Sequence, residues 1–218
     1  MHMRLAERVA SMMTRLSTKD RETLLQVALA AIRESVSSRE GRAIEIDARD
    51  YAPSLQEHRA AFVTLHNSGR LRGCRGSVSA DESLVVCTAR SARAAALFDE
   101  RFHPVTEAEI RELQIHVSIL GEPEEIPVAA ERELLEFLQP GVHGLIVQAA
   151  GKEALFLPSV WQKLPDPAEF VQHLKSKAGL SPTLQYADTV WRCFTVEEFE
   201  GYASEIFAFD DEDQTSRA

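Results

Sequence analysis

One six-residue stretch, Leu71 to Gly76, constrains the fold of this chain more than any other part of its sequence. It follows an apolar run from Ala61 to Leu65 and a turn signal, Asn-Ser-Gly, at residues 67–69. A short segment of this kind between two strand-like runs is typical of a β-hairpin. We therefore expect strands at Ala61 to His66 and Arg70 to Ser79, joined by a turn of two or three residues. The two glycines predict that a ligand or another element approaches the second strand closely, because no side chain intervenes.

The same stretch carries a thiol, Cys74, with arginines at positions 72 and 75. Guanidinium charge near a thiol favours the reactive thiolate, so Cys74 is a candidate nucleophile, redox thiol or metal ligand. The alternative is a small packing side chain in a tight hairpin, because free cysteine is often buried. Arg72 would either bind an anionic ligand or form a structural ion pair. Arg75 would lie on the opposite strand face from Cys74, toward solvent or a partner.

Periodicity along the rest of the chain predicts an α+β protein, with a mixed or mainly antiparallel sheet and helices packed on it. Helices are predicted at residues 17–36, 82–98, 129–138 and 167–178, and a short helix is predicted after the capping box at Thr106–Glu109. Ser17 is the predicted N-cap of the first helix, and Gly179 is the predicted C-cap of the last. Strands beside the first hairpin are predicted at 43–46, 113–120, 144–149, 153–157 and 190–196. Core aromatic positions are predicted at Phe98, Phe102, Trp161 and Phe170.

Composition narrows the class of protein. The formal net charge of −10 argues against a general nucleic-acid binder, since attraction to phosphate needs a basic face. No apolar run approaches the ~20 residues that span a membrane, and charged residues interrupt the N-terminus, unlike a signal peptide. Three widely spaced cysteines suggest no disulfide framework. These features favour a reducing cytoplasm as the location.

The hexad Leu-Arg-Gly-Cys-Arg-Gly resembles that of the AMMECR family, also called AmmeMemoRadiSam system protein A, which usually carries Leu-Arg-Gly-Cys-Ile-Gly. Arg75 is the departure, because the family usually has an apolar residue there. The resemblance extends over about residues 20–200 in several ordered blocks. These blocks are Ala61 to Gly76, Ala95 to Pro104, Thr106 to Leu120, Gly141 to Ile146, Ala154 to Pro167 and Phe170 to Leu180.

The resemblance implies a single AMMECR-type domain over residues 17–200, with a larger lobe, a smaller lobe and a cleft near the hexad. Residues 1–16 would form an N-terminal extension and residues 208–218 an acidic, disordered tail. The resemblance also implies action in one pathway with a Memo-like protein and a radical SAM enzyme. The activity of the family is unsettled, and no cofactor is identified.

Candidate ligand-binding residues surround Cys74, the candidate catalytic residue. They are Arg72, Gly73, Gly76, His66, Glu100 and Trp161, the last with a core position as its alternative. A cysteine nucleophile would need a general base, and the histidines available are His66, His103, His116 and His143. Asp99 and Arg101 adjoin Glu100 in a family block, and an acidic residue there would orient Arg72. The sequence has no CxxC, HxxxH or HExxH pattern, so no metal site is predicted.

Two functions from different classes fit these residues. The first is cysteine-dependent chemistry on a small molecule or peptide bound in a cleft at Leu71 to Gly76. The second is a non-enzymatic binding or adaptor module in which Cys74 is structural, and the lack of a recognisable acid–base pair favours it. A third function, association with nucleic acid through Arg72 and Arg75, fits the net charge worst.

Overall fold

The computed structural model describes residues 15–38, 44–181 and 188–206. Within these ranges the chain divides into two compact units. The first unit contains the described residues up to Leu120 together with those from Glu198 onward, and the second contains those in between. The predicted acidic tail and nearly all of the predicted N-terminal extension lie outside the described residues. The predicted limits of a single domain stay a prediction.

The first unit combines helices with an antiparallel sheet, as an α+β protein should. Its strands run in the order β2-β1-β3-β8. The strands are β1 (Ala61–Asn67), β2 (Arg70–Gly76), β3 (Leu113–Leu120) and β8 (Val196–Tyr202). The helices are α1 (Thr18–Ser37), the short α2 (Pro53–Gln56) and α3 (Leu84–Leu97), with 3-10 turns at Ala48–Asp50 and Glu107–Glu112.

The two faces of this sheet differ in character because side chains alternate along each strand. On the inner face, Val63, Leu65, Ile115 and Val117 are fully buried and share one apolar core with α1 and α3. The outer face carries the alternate positions, which are mostly polar and lie half-buried or exposed; Thr64 is one of them. The candidate thiol therefore belongs to the polar face, since Cys74 pairs with Thr64 across the hairpin.

The β1–β2 hairpin turns on two residues. Ser68 and Gly69 both have positive φ, at 51° and 73°. Positive φ at both central positions is the geometry of a type I′ turn, whose twist matches that of the strands it joins. The turn therefore has the shorter of the two predicted lengths, with Asn67 paired to Arg70.

A β-bulge interrupts the hairpin beside the thiol. Leu65 pairs with Gly73, whereas the next residue, His66, pairs with Leu71. Arg72 is thus an extra residue in β2 with no partner in β1. Bulges re-aim side chains and bend the strand that carries them. The bulge explains how an arginine in an edge strand can direct its side chain away from the regular alternation.

Helix α3 approaches β2 at a single glycine. A Cβ added at Gly73 would lie 2.1 Å from the carbonyl oxygen of Ala95, near the C-terminal end of the helix. No other residue fits here without moving the helix or the strand. The close approach that the glycine predicted is therefore a contact between two elements of the fold, and it places the segment after α3 beside the hexad.

The second unit has its own antiparallel sheet, in the order β4-β7-β5-β6. Its strands are β4 (Glu124–Glu125), β5 (Gly144–Ala149), β6 (Lys152–Phe156) and β7 (Val190–Phe194). Its helices are α4 (Glu131–Phe137), α5 (Pro167–Lys177) and a 3-10 turn at Pro158–Gln162. The core of this unit contains Trp161 stacked on Phe170, with ring centroids 3.7 Å apart. In the described part of the chain, no helix has both the length and the apolar composition needed to cross a membrane.

Most of the predicted elements are confirmed within one or two residues at each end. Ser17 caps α1 by accepting a hydrogen bond from the backbone of Asp20, and Gly179 follows α5 with a φ of 64°. The predicted strand at 113–120 is β3 itself, and the capping box at Thr106 is present.

Four predictions are wrong. Phe102 is half-buried and belongs to neither apolar core. Phe98 is 50% exposed rather than in the core, because it is the C-cap of α3 and its backbone has already left the helical geometry. The last strand is two strands in different sheets, β7 and β8, separated by Thr195. Residues 44–46 form no strand, and Ala43 lies outside the described residues.

Replacing Gly73 with alanine should lower the free energy of unfolding by about 2–3 kcal/mol, because the new methyl group overlaps the Ala95 carbonyl and the packed elements must separate. Urea unfolding followed by circular dichroism measures this change. Gly69→Ala is the matched control, since its φ of 73° is unfavourable but nothing lies within 4 Å. That control should cost only about 1 kcal/mol. Equal losses in both variants would contradict the packing role.

Candidate functional site

Cys74 is the only thiol with an accessible surface among the three cysteines, all of which are free. It is half-buried on the outer face of the sheet, and the Thr64 hydroxyl donates a hydrogen bond to its sulfur at 3.2 Å. Cys87 and Cys193 are fully buried, and burial raises the pKa of both thiols, that of Cys193 to about 12. Only Cys74 is therefore placed to meet a ligand or reagent in the folded protein.

A buried carboxylate, Asp99, ties the backbone of Cys74 to the segment that follows α3. One oxygen, Oδ2, accepts hydrogen bonds from the Cys74 backbone N–H at 2.8 Å and from the Arg101 guanidinium at 2.6 Å. The other, Oδ1, accepts from Arg101 Nε at 2.9 Å. The Arg101 guanidinium, aided by the Cys74 N–H, holds the pKa of the Asp99 carboxyl well below its usual range despite burial. The thiol strand and Arg101 thus share one fixed anchor.

Arg72 forms the structural ion pair that was one of its two predicted roles. Its guanidinium donates to both carboxylate oxygens of Glu109, at 2.7 and 3.2 Å. It also donates to the backbone carbonyls of His103 and Pro104, at 2.8 and 3.2 Å. These four bonds use most of its five N–H groups. Binding of an anionic ligand by Arg72 stays a prediction, with little donor capacity left for it.

Glu109 is the carboxylate that orients Arg72, in place of the predicted acidic residues at 99 and 100. It also accepts hydrogen bonds from the backbone N–H and the hydroxyl of Thr106, both at 2.8 Å. Arg72, followed by these Thr106 bonds, lowers the pKa of Glu109 to about 2. The bulge of β2 and the 3-10 turn that begins at Glu107 are therefore braced by one charged network.

Arg75 contacts the same segment from the neighbouring position of β2. Its guanidinium donates to the backbone carbonyl of Phe98 at 2.6 Å, while its own residue pairs with Val63 across the hairpin. Its Nε is buried and has no hydrogen-bond partner in the described ranges. The guanidinium thus reaches backbone of its own unit at Phe98, and contact with solvent or a partner stays a prediction.

Two of the candidate histidines meet on the outer face of the sheet. The rings of His66 and His116 lie edge to face with their centroids 4.7 Å apart. His116 Nε2 lies 2.7 Å from a carboxylate oxygen of Glu200 on β8. Burial, and then the neighbouring His116, lower the pKa of His66, whose Nδ1 has no partner in the described residues. His66 therefore favours the neutral form, and His116 is the member of the pair that has a carboxylate partner.

Neither of these histidines is hydrogen-bonded to the thiol, whose side-chain partner is Thr64. Thr64 does pair with His116 as well as with Cys74, so the three residues form one level across β2, β1 and β3. His143 is buried in the second unit, where burial lowers its pKa and it stacks on Phe137. In the described ranges no three His, Cys, Asp or Glu side chains are grouped as a metal site requires.

An open pocket lies beside the hexad, entirely within the first unit. Its volume is about 420 Å³, within the usual range for small-molecule sites. The lining residues are Arg72, Glu100, Arg101, Phe102 and His103. Two predicted ligand-binding residues, Arg72 and Glu100, therefore line the same pocket, and the candidate base His103 joins them. Arg101 contributes a guanidinium whose side chain is 57% exposed.

The remaining predicted site residues have packing roles. Trp161 is 4% exposed, and its indole N–H donates to the carbonyl of His143 at 2.7 Å. Gly73 receives the helix, and Gly76 lies under the Phe62 ring, which a Cβ would meet at 2.4 Å. Ligand contact by these three residues stays a prediction.

Sequence reasoning missed Thr64, Glu109 and Glu200 as members of the site. Thr64 had a usable signal, because it lies on the polar face of a predicted strand and opposite Cys74 in a two-residue hairpin. Glu109 was recognised only as part of a capping box. Glu200 had no usable signal in the sequence, because only one last strand was predicted, at 190–196, and Glu200 lies beyond it on β8.

Comparison with known proteins agrees with the resemblance and with the fold. Residues 25–199 match the AMMECR1 family model. A protein of Methanosarcina barkeri is 40% identical over 152 residues, covering 69% of this chain and 75% of that protein. A protein of Methanopyrus kandleri is 33% identical over 207 residues, covering 91% and 92%. The crystal structure of an uncharacterized protein from Pyrococcus horikoshii has a TM-score of 0.72 at 35% identity, covering 82% of this chain and 90% of that one.

Glu109→Gln should lower the free energy of unfolding at pH 7 by about 1–2 kcal/mol, an amount reduced by solvent screening of this partly exposed pair. The folded-state pKa of Glu109, about 2, lies below its ordinary value of 4.5. Its contribution is therefore fully present above about pH 4.5 and is lost as the pH falls toward 2. Urea unfolding from pH 7 to pH 3 should show the two proteins converging only below about pH 4.5. The exposed Glu112→Gln is the control, and a gap independent of pH would contradict the ion-pair origin.

Proposed function

This chain belongs to the AMMECR1 family, and from that premise we propose that it binds a small molecule or peptide beside the hexad and uses Cys74 in chemistry on it. The family is of uncharacterised function, so the proposal depends on the geometry of this site. Cys74 would act as a nucleophile or redox thiol, and the pocket lined by Arg72, Glu100 and Arg101 would hold the ligand.

One observation carries the proposal: the accessible thiol lies beside a hydroxyl donor, Thr64, and interacts with a guanidinium, Arg101. The Thr64 hydroxyl donates to the sulfur, which is the bond that a thiolate accepts. Cys74 and the Arg101 guanidinium also interact electrostatically, and both are held by Asp99. Cysteines with such surroundings are the reactive ones, whereas buried structural cysteines are inert.

The braced network supports the same proposal because a reactive site needs a rigid frame. Arg72 fixes the bulge of β2 to the 3-10 turn through its ion pair with Glu109. Asp99 fixes the backbone of Cys74 in the same strand by accepting its N–H. Residues locked by such hydrogen bonds hold a bound group in one geometry without further loss of entropy. We assign Arg72 and Asp99 to positioning and Cys74 to chemistry.

The pathway is part of the proposal and is supported by the family resemblance alone. In it the chain acts with a Memo-like protein and a radical SAM enzyme, in a reducing cytoplasm. A reducing compartment agrees with three cysteines that are all free. The radical SAM partner would bring its own iron–sulfur cysteines, which this chain does not need to supply.

The alternative is a binding or adaptor module in which Cys74 packs and does not react. The observation that favours it is that the sulfur accepts a hydrogen bond from a threonine, while neither His66 nor His116 is hydrogen-bonded to it. Under this alternative the pocket still holds a ligand or a partner segment, but replacement of Cys74 by serine leaves binding and pathway output unchanged.

Iodoacetamide should alkylate Cys74 in the folded protein at pH 7 faster than it alkylates the same residue in the urea-unfolded chain, because Thr64 and Arg101 stabilise the attacking sulfur. Site-resolved mass spectrometry of the digested protein gives the rates at all three cysteines. Cys87 and Cys193 are internal controls that should react only after unfolding. A folded-state rate at Cys74 equal to or below the unfolded rate would favour the binding module instead.

A further inference from the structure

The chain contains two Asp-x-Arg pairs of the same local geometry, and only one of them lines a pocket. In Asp47–Arg49 and in Asp99–Arg101, the aspartate accepts hydrogen bonds from the arginine's backbone N–H, its Nε and its Nη2. The first pair is solvent-exposed, with side-chain exposures of 43% and 86%. In the second, the Asp99 side chain is only 3% exposed. The exposed Asp47–Arg49 pair can therefore serve as a control for the Asp99–Arg101 pair, whose aspartate is buried.

Burial of Asp99 fixes the direction of the Arg101 guanidinium. The Nε and Nη2 edge of the guanidinium faces the aspartate, so the Nη1 end points away from it. In the described residues Nη1 has no hydrogen-bond partner, and the side chain is 57% exposed on the pocket wall. A planar guanidinium held in this way presents donors to an oxygen anion with little entropy left to lose.

Of the two guanidinium groups in the pocket, Arg101 is the one with donors to spare. Arg72 already donates four hydrogen bonds to Glu109 and to two backbone carbonyls. The Arg101 side chain donates its hydrogen bonds to a single carboxylate, that of Asp99. The group that meets a ligand in this pocket is therefore Arg101, even though Arg72 is the arginine of the hexad.

We propose that Arg101 binds the carboxylate of the ligand that enters this pocket and so places that ligand beside Cys74. A singly charged carboxylate fits better than a phosphate, because Glu100 lines the pocket and the carboxylates of Asp99 and Glu109 are paired with the two arginines. A multiply charged group would meet repulsion from these three carboxylates. The Cys74 backbone N–H and Arg101 share the same oxygen of Asp99, so the carboxylate site is within two hydrogen bonds of the thiol strand.

This inference rests on the proposed function, and two alkylating reagents separate them. Iodoacetate carries a carboxylate and iodoacetamide carries a neutral amide, and in both the Cys74 sulfur displaces iodide. The ratio of the iodoacetate rate to the iodoacetamide rate at Cys74 should exceed the ratio for 2-mercaptoethanol in the same buffer by about tenfold, the value of one charge-assisted hydrogen bond. Both rates are obtained by labelling the intact folded chain, digesting it and measuring the modification of Cys74 by mass spectrometry.

Arg101→Gln should return that ratio to the value for 2-mercaptoethanol, while Arg49→Gln should leave it at the wild-type value. Arg49 is the matched control because it removes the same charge from the same Asp-x-Arg geometry away from the pocket. Circular dichroism checks that each variant is folded, and the wild-type ratio stands as a test on its own if Arg101→Gln is not. A wild-type ratio equal to that of the free thiol overturns the inference, and so does an equal effect of the two variants.

Failure of the proposed function would look different, because iodoacetamide would then alkylate Cys74 no faster in the folded protein than in the unfolded chain, whatever the ratio of the two reagents. The carboxylate could belong to a small molecule or to the C-terminus of a peptide. The two are distinguished by which compound protects Cys74 from alkylation by iodoacetamide. Protection by butyrate, which carries a single carboxylate, identifies a small-molecule ligand. Protection by a short peptide with a free C-terminus, but not by its C-terminal amide, identifies a peptide. Protection by neither at high concentration counts against a carboxylate site.

Discussion

The contact between Gly73 and the Ala95 carbonyl is the constraint on which the site depends. Because the strand has no side chain at this position, helix α3 ends directly against β2. The residues that follow the helix then emerge beside the edge of the sheet, where Asp99 reaches the backbone of Cys74. A larger residue at position 73 would separate the two elements, and the carboxylate would lose the N–H that it now accepts.

The same contact also covers the exposed edge of the sheet. Strand β2 is at the edge of its sheet, and an edge strand exposes unpaired N–H and C=O groups that can pair with another chain. Here the segment after α3 covers that edge, since Asp99 accepts the Cys74 N–H and β2 arginines donate to the Phe98, His103 and Pro104 carbonyls. Protection of the edge and construction of the pocket are thus one structural arrangement, which explains why the hexad combines glycines with arginines.

Local signals predicted the elements of this site but not their connections. The hairpin, the polar face of β3 and the capping box at Thr106 follow from spacing within a few residues. The bonds from Arg72 to Glu109 and from Cys74 to Asp99 join residues 37 and 25 positions apart. They exist because α3 docks on Gly73, which no periodicity reveals. The bulge is equally hidden, since the sequence of β2 does not show which residue lacks a partner.

Arg75 occupies the position at which the resemblance of the hexad leads us to expect an apolar residue. Its partner across the hairpin is Val63, which is fully buried, so the aliphatic part of Arg75 covers the position that an apolar side chain would fill. The guanidinium continues past this point to the carbonyl of Phe98. It therefore adds one more tie between β2 and the end of α3. Cys74 and Thr64 lie on the opposite face of the hairpin from Arg75, so this tie does not occupy the polar face.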